Sequence, residues 1–169
     1  MKICILGYSG SGKSTLARKL GERYGAPVLH LDSVHFLENW EERTQDDMNA
    51  IVGKFLDENE SWVIDGSYKK CHLTRRMEEA DIIIFLLFNR FTCFFRAWKR
   101  YKENKGITRP DMAAGCEEKF DLTFARWVLY KGRTKQRSKA FFDLIKAYPK
   151  KAVVIKTQRQ LNKFWEERL

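Results

Sequence analysis

The segment that most constrains this chain is Gly7-Tyr8-Ser9-Gly10-Ser11-Gly12-Lys13-Ser14. It fits the pattern G-x-x-x-x-G-K-[ST], in which glycines let successive backbone N–H groups turn towards phosphate oxygens. An apolar run of strand length, residues 2–6, precedes it, and Leu16, Leu20 and Tyr24 follow at helical spacing. Because strand, glycine-rich loop and helix come in the order that the pattern requires, a chance glycine-rich turn is disfavoured. The sequence therefore predicts a nucleoside triphosphate site.

The residue types in this segment indicate how the nucleotide is held. Lys13 would place its charge on the β- and γ-phosphates of ATP, and the Ser14 hydroxyl would be a ligand of Mg²⁺. The helix that follows would present the positive end of its dipole. The residues expected to bind the nucleotide here are Gly7, Tyr8, Ser9, Gly10, Ser11, Gly12, Lys13, Ser14 and Thr15.

The length and composition predict one ordinary domain. A chain of 169 residues can bury a core, and a hydrophobic fraction of 44% argues against general disorder. The longest apolar run, residues 82–88, is far shorter than the roughly 20 residues that cross a bilayer. No apolar leader precedes the first predicted strand, so no signal peptide is expected. We expect a cytoplasmic domain over residues 1–169 with no membrane segment.

Two aspartates end predicted strands and are candidates for the chemistry. A short strand from residue 28 closes on Asp32, and residues 61–66 form a third strand that closes on Asp65-Gly66. In open α/β sheets, ligands bind beyond the carboxyl ends of the strands. Asp32 is therefore placed to meet an acceptor or the metal, and Asp65 to hold Mg²⁺, usually through its waters. Turn or cap roles remain alternatives for both.

The rest of the chain continues the alternation of strands and helices. Residues 81–88 are expected to form the strand at the sheet centre, and residues 151–156 a fifth strand. The pattern predicts an α/β fold: a doubly wound five-stranded parallel sheet with helices on both faces.

The helix after the fourth strand carries both aromatic and cationic residues. Its aromatic residues, which we expect to pack on the core, are Phe91, Phe94, Phe95 and Trp98. At about 100° per residue, Arg96 and Arg100 lie within about 40° of each other and almost opposite that face. They could clamp transferring phosphates or be solvated.

A segment around residues 104–117 is predicted to be a short mobile lid. It contains Gly106, Pro110 and Gly115, shows no apolar periodicity, and connects two basic helices. Arg109 within it is expected to reach the nucleotide. An ordinary connecting loop is the alternative.

The net charge of +10 is concentrated in one part of the chain. Residues 96–139 hold 13 Lys and Arg against 5 Asp and Glu. Such an excess suits polyanions, either nucleic acid or the phosphates of nucleotides, although it also favours solubility. The sequence does not decide which of five further arginines reach a site: Arg75, Arg76, Arg126, Arg133 and Arg137.

Over nearly its whole length the chain resembles the nucleoside-monophosphate kinase group of P-loop proteins, which includes adenylate kinase. It is more narrowly similar to the DNA topology modulation (FlaR-type) proteins. The resemblance rests on Gly7–Ser14, on residues 30–32, 62–68 and 80–83, on Arg96-x-x-x-Arg100, and on residues 109–113 and 115–118. It implies that Asp65-Gly66 lies by the magnesium site and that Arg96 and Arg100 contact phosphates at the base of the lid.

The chain departs from adenylate kinases on the acceptor side. Ser67-Tyr68-Lys69 stands where those enzymes have Phe-Pro-Arg after the Asp-Gly pair, and the short lid lacks a four-cysteine zinc pattern. The resemblance therefore implies the phosphate-donor half of the site and leaves the acceptor unnamed.

Two functions remain open. The first is a phosphotransferase moving the γ-phosphate of ATP to a small acceptor, which would be a nucleotide, a nucleoside or a hydroxylated metabolite. Its catalytic residues would be Lys13, Asp32, Asp65, Arg96 and Arg100. The second is an ATP-binding regulator associated with nucleic acid, in which the aromatics of the basic segment would stack on bases. Their expected packing on the core weakens this second hypothesis. A GTPase is disfavoured because no N-K-x-D motif follows.

Overall fold

In the computed structural model of the protein, which describes residues 1–168, five strands form one parallel sheet. They are β1 (Lys2–Gly7), β2 (Val28–His30), β3 (Trp62–Asp65), β4 (Ile82–Leu86) and β5 (Ala152–Ile155). Their order across the sheet is β2-β3-β1-β4-β5. The central strand is β1, with β4 beside it, so the expectation that residues 81–88 form the sheet centre is wrong by one strand.

Eight helices connect and flank these strands within the described residues. They are α1 (Lys13–Tyr24), α2 (Leu31–His35), α3 (Gln45–Glu58), α4 (Leu73–Glu79), α5 (Arg90–Asn104), α6 (Leu122–Leu129), α7 (Lys135–Ala147) and α8 (Gln158–Arg168). Short 3-10 turns lie at Glu38–Trp40 and Lys131–Arg133.

Each face of the sheet carries its own core, as a doubly wound sheet requires. Along β1, Ile3 and Ile5 belong to one cluster, while Cys4 and Leu6 belong to the other. Helices α1, α5, α6 and α8 contribute to the first cluster, and α2, α3, α4 and α7 to the second. Because successive strand residues point to opposite faces, the uninterrupted apolar strands supply both cores. The predicted fold class is confirmed.

Several helix starts and stops have clear local causes. Thr44 caps α3 by accepting a hydrogen bond from the backbone N–H of Asp47. Gly25 ends α1 in the left-handed conformation, which glycine adopts at little cost. Helix α2 begins at Leu31, so Asp32 lies in the first turn of a helix rather than at a strand end.

Of the four aromatic residues of α5, Phe94 packs against the first core cluster, but the other three do not, so the expectation is wrong for most of this face. Phe91, Phe95 and Trp98 are exposed by 63%, 62% and 40%, while the small residues Cys93 and Ala97 are buried. A methyl group at Gly10 would lie 2.4 Å from the carbonyl oxygen of Cys93, so α5 approaches the loop after β1 very closely. Only small side chains fit such a contact, and the aromatic stripe is left outside.

Among the described residues, no helix combines the length and the apolar composition needed to cross a bilayer.

Candidate active site

The loop between β1 and α1 has the backbone that phosphate binding requires. At Gly7, any side chain would meet the carbonyl oxygen of Leu86 at 2.3 Å. Gly12 is left-handed at φ 95° and precedes α1 without a side-chain cap among the described residues. The first N–H groups of α1 are therefore left for a ligand, and an anion fits there because the helix dipole is positive at this end.

Lys13 and Ser14 lie at the start of α1, on the side that faces β3. The Lys13 ammonium donates to the carbonyl of Tyr8 at 3.1 Å, and the Ser14 hydroxyl donates to Asp65 Oδ2 at 3.0 Å. His30 donates from Nδ1 to the other oxygen of Asp65, at 2.5 Å. Asp65 is nearly fully buried. Hydroxyl and carboxylate oxygens are the ligands that Mg²⁺ prefers, so this donor set fits the ion.

Asp32 lines the crevice and has one specific partner. The Tyr68 hydroxyl donates to Asp32 Oδ1 at 2.7 Å. Burial, followed by the negative charge and hydrogen bond of Asp32, raises the pKa of Tyr68 far above its ordinary value. Tyr68 therefore remains protonated at neutral pH and donates to one oxygen of Asp32, Oδ1. The other oxygen, Oδ2, accepts no hydrogen bond from Tyr68.

Arg96 is bound to the phosphate loop. Its guanidinium donates to the carbonyl of Ser11 at 2.9 Å and to Gln158 at 2.7 Å, and lies 4.0 Å from the centre of the Phe88 ring. Burial lowers the pKa of Arg96 from its ordinary value. Arg96 therefore lies beside the phosphate loop, and its contact with a phosphate stays a prediction.

Arg100 and Arg109 are brought together by a carboxylate that the sequence analysis did not single out. Glu118 accepts from Arg100 Nε at 2.8 Å and from Arg109 Nε at 2.5 Å, and only 5% of its surface is exposed. Arg109 also donates to Asp111. Both arginines line the crevice, with their charge balanced by lid carboxylates. The acidic side chains within positions 109–118 are the sequence feature from which this network could have been predicted.

The lid reaches the phosphate loop through Asp111. Burial alone would raise the pKa of Asp111, but the charge of Arg109, with the nearby Ser14 hydroxyl, holds this pKa below its ordinary value. The far end of the lid contacts the segment after α2, since the Cys116 thiol donates to the carbonyl of Leu37 at 3.0 Å. The segment around residues 104–117 thus bridges the two sides of the crevice. Its mobility stays a prediction.

Helices α6 and α7 close the other side of the phosphate loop. Trp127 donates from Nε1 to Ser9 Oγ at 3.2 Å, and the Arg133 guanidinium lies 3.8 Å from the centre of the Tyr8 ring. The Arg137 guanidinium lies 4.5 Å from the Trp127 ring. These contacts fix the phosphate loop against a wall of aromatic rings and cations, which sequence periodicity did not identify.

The five arginines that the sequence left undecided differ in whether they line the crevice. Arg133 and Arg137 line the crevice, and Arg126 does not. Arg75 pairs with Asp57 and Glu79 away from the site. Arg76 is fully buried, and its guanidinium donates to the backbone carbonyls of Gly66, Tyr68 and Cys71. Neither Arg75 nor Arg76 lines the crevice.

The phosphate loop, Asp32, the lid and the α6–α7 wall share one crevice of about 1560 Å³. Pockets for a single drug-sized ligand span roughly 300–1,000 Å³. The crevice therefore has room for a nucleotide and a small second molecule.

The sheet order, the phosphate loop and the lid define a kinase-like P-loop fold, and comparison with solved structures agrees. The deoxyadenosine kinase of M. mycoides with bound dATP superposes with a TM-score of 0.55 at 15% identity, covering 99% of each chain. The gluconokinase of Sinorhizobium meliloti 1021 gives 0.51 at 20%, covering 99% of this chain and 89% of its own. The shikimate kinase of Acinetobacter baumannii gives 0.50 at 15%, covering 99% and 94%.

At these identities the likeness is one of fold. No protein-family model and no curated protein matches the sequence. The closer similarity to FlaR-type proteins stays an expectation from the sequence.

Proposed function

We propose that this protein is an ATP-dependent phosphotransferase that moves the γ-phosphate to a hydroxyl group of a small acceptor. One observation carries the proposal: Asp32, held by Tyr68, lines the same crevice as Lys13 and Ser14 of the phosphate loop. A group that can orient a hydroxyl thus shares a crevice with groups that can hold phosphates. The kinases among the structural neighbours support this reading.

The donor half is built to concentrate positive charge on a triphosphate. Lys13 and the start of α1 would hold the β- and γ-phosphates, with Arg96 beside them on the Ser11 carbonyl. Ser14 and Asp65 would hold Mg²⁺, which when bound supplies further neutralisation of the phosphate charge. Catalysis of this kind depends on position and charge, so the fixed contacts of these side chains matter more than their acidity.

The acceptor half needs a group that directs a hydroxyl and takes its proton. The acceptor oxygen forms the new bond to the γ-phosphorus while the bond between that phosphorus and the β,γ-bridging oxygen breaks. The electron pair of the broken bond leaves with ADP, and the hydroxyl proton passes to the free oxygen of Asp32. Tyr68 keeps Asp32 in place during this transfer because it is a permanent donor at neutral pH.

Arg100 of α5 and Arg109 of the lid take part when they exchange their hydrogen-bond partners. Arg100 and Arg109 are bonded to Glu118 and Asp111. Triphosphate oxygens that enter the crevice would compete with these carboxylates for the same guanidinium groups. We expect the two arginines to stabilise charge on the migrating phosphoryl group after that exchange.

Association with single-stranded nucleic acid is the second candidate function, and one observation favours it. Phe91, Phe95 and Trp98 form an exposed stripe on α5, and the cations Lys99 and Lys102 are exposed beside them. Exposed rings among cations are what sequence-tolerant base stacking uses. The objection that these aromatics are buried no longer holds. ATP binding would then act as a switch for this surface.

The experiment that tests the first candidate is release of ADP from Mg·ATP in the presence of nucleosides, nucleoside monophosphates and hydroxylated metabolites, each alone. We expect acceptor-dependent ADP release with at least one class and formation of its phosphate ester. ADP release that no acceptor stimulates, with no phosphorylated product, would contradict a phosphotransferase.

A further inference from the structure

The end of the crevice beyond Asp32 is walled by aromatic rings. The ring centres of His35 and Tyr68 are 4.9 Å apart, those of His35 and Phe36 4.6 Å, and those of Phe36 and Trp40 5.2 Å. All four side chains line the crevice. They come from the segment after β2 and the loop after β3, so two separate parts of the chain supply one continuous aromatic wall.

Trp40 is held in this wall at a cost to its backbone. Asn39 and Trp40 have φ values of 58° and 66°, a left-handed conformation that bulky residues rarely adopt. The hydrogen bond from the N–H of Leu37 to the carbonyl of Glu41, at 2.7 Å, closes the turn around them. The indole Nε1 of Trp40 is buried and has no hydrogen-bond partner among the described residues. Strain of this kind is typical of ligand clamps, and the unpaired indole N–H is a donor that a ligand can use.

The charges at this end of the crevice do not suit an anionic acceptor. Arg109 is the cation of the lid that lines it, and two of its nitrogens are already bonded to Glu118 and Asp111. Lys69 and Lys119 line the rim with exposed side chains, and the Lys119 ammonium lies 5.4 Å from the centre of the Trp40 ring. Asp32 and Asp111 also line the crevice and add negative charge. Because the partly buried cation Arg109 is assigned to the triphosphate, an anionic acceptor would face Asp32 with only exposed lysines as partners, which is unfavourable.

We infer that the acceptor is an uncharged compound with a flat heterocyclic ring and a free hydroxyl, the chemical class of a nucleoside. Its ring would lie against the wall of His35, Phe36, Trp40 and Tyr68, and its hydroxyl would meet the free oxygen of Asp32. This assignment rests on the proposed function, because the acceptor hydroxyl is the atom that takes the γ-phosphate and gives its proton to Asp32.

The competing acceptor classes fit less well. A nucleoside monophosphate brings a ring for the wall but also a dianion that needs paired cations. A sugar acid or a polyol brings hydroxyls but no planar face to stack on aromatic rings. An uncharged heterocycle with a hydroxyl uses both the wall and Asp32 without adding charge.

The test compares kcat/KM for three matched groups with Mg·ATP: nucleosides, their 5′-monophosphates, and the non-aromatic acceptors gluconate, shikimate and glycerol. We expect kcat/KM for at least one nucleoside to exceed that for its monophosphate and for every non-aromatic compound by tenfold or more. A monophosphate or a non-aromatic acceptor as the best substrate overturns the inference while leaving the proposed function intact.

A variant pair tests the wall itself. Trp40→Leu keeps an apolar side chain but removes the ring and the indole N–H, and should raise the nucleoside KM tenfold or more with little change in the KM for ATP. Trp98→Leu is the matched control, since Trp98 is exposed on α5 outside the crevice, and it should leave both values unchanged. Equal nucleoside KM values in the two variants would overturn the assignment.

Binding measured without turnover tests the nucleoside site separately from the proposed phosphotransferase function. Calorimetric titration of nucleosides into the protein with Mg·ADP should show binding that Trp40→Leu weakens and Tyr68→Phe, which keeps its ring, largely retains. Such binding without any phosphoryl transfer would contradict the proposed function and keep the nucleoside site. Failure of Trp40→Leu to weaken binding, or absence of nucleoside binding, overturns the site.

Discussion

Ser14 Oγ lies 3.0 Å from Asp65 Oδ2, although 51 positions separate the two residues in the chain. The contact follows from strand pairing, because β1 and β3 are adjacent and parallel and Ile5 is in register with Asp65. The start of α1 and the end of β3 therefore meet at one edge of the sheet. Replacing one carboxylate oxygen of Asp65 by an amide NH₂ should therefore affect metal binding more than folding.

Asp65→Asn should raise the Mg²⁺ concentration needed for half-maximal phosphoryl transfer by about tenfold or more. An effect of this size is typical of groups that orient metal ligands. Nucleotide binding without Mg²⁺ should change much less, since Lys13 and the loop backbone remain. The measurement is a magnesium titration of activity. Asp81→Asn, which removes an exposed aspartate at the start of β4, is the control. Coincident titration curves for Asp65→Asn and the parent would show that Asp65 does not hold the metal and is only a turn residue.

Lys13→Ala should abolish ATP binding or turnover and leave the fold intact. The substitution removes the charge partner of the phosphates and no core atom, because Lys13 contacts only a backbone carbonyl among its described hydrogen bonds. ATP affinity by calorimetry and ADP release are the readouts, with thermal unfolding as the check on folding. Lys54→Ala, an exposed lysine paired with Glu58 on α3, should behave as the parent. Parental ATP affinity and turnover in Lys13→Ala would refute the phosphate-loop assignment.

Arg96→Ala and Arg100→Ala should each lower the rate of phosphoryl transfer by about two orders of magnitude or more, as expected for loss of one charge stabiliser. Single-turnover kinetics at saturating ATP give this rate. Lys102→Ala is the matched control, because Lys102 is an exposed cation of the same helix that lies over the Trp98 ring and does not line the crevice. A loss in Lys102→Ala as large as in the two arginine variants would show that the helix, not the two guanidinium groups, matters.

Arg76→Ala should destabilise the fold by about 3 kcal/mol or more, because three buried carbonyl contacts lose their donor. Arg75→Ala, at the neighbouring position, removes a surface pair and should cost less than about 1 kcal/mol. Urea denaturation of both variants measures the free energy of unfolding. Similar losses at the two positions would argue against a structural role for the buried guanidinium.

Duplex DNA should bind weakly and in a salt-sensitive manner, in the non-specific micromolar range or weaker at physiological salt. Arg96 and Arg100 are engaged inside the crevice, and so contribute little to an external surface. Fluorescence anisotropy across a salt series measures this, with single-stranded DNA in parallel and Phe95→Ser as the α5 variant. Sub-micromolar binding at physiological salt, lost in Arg96→Ala and Arg100→Ala, would instead favour the nucleic-acid hypothesis.

The sequence predicted the parts of the molecule that follow from local order along the chain. The glycine-rich loop between an apolar strand and a helix, and the apolar strands with their intervening helices, are short-range patterns that fix the fold class. The position of Asp65 beside the phosphate loop could be anticipated because strand ends meet at one edge of a parallel sheet.

The remaining features depend on distances between segments, which periodicity does not contain. A stripe of aromatics on α5 indicates an amphipathic helix, but the close approach of Gly10 to Cys93 decides which side packs. Glu118 joins Arg100 and Arg109 only because the lid folds back on α5. The left-handed backbone conformation of Trp40 could not be predicted from the sequence, because tryptophan rarely adopts it.

The loop after β3 takes its course from a cation behind it. Arg76 binds the carbonyls of Gly66, Tyr68 and Cys71, so the backbone of the loop is fixed by side-chain bonds that do not involve the loop's own side chains. Positions 68 and 69 can therefore be exchanged during evolution without a new loop conformation. Such an arrangement allows acceptor preference to diverge within one scaffold while the phosphate-donor half stays the same.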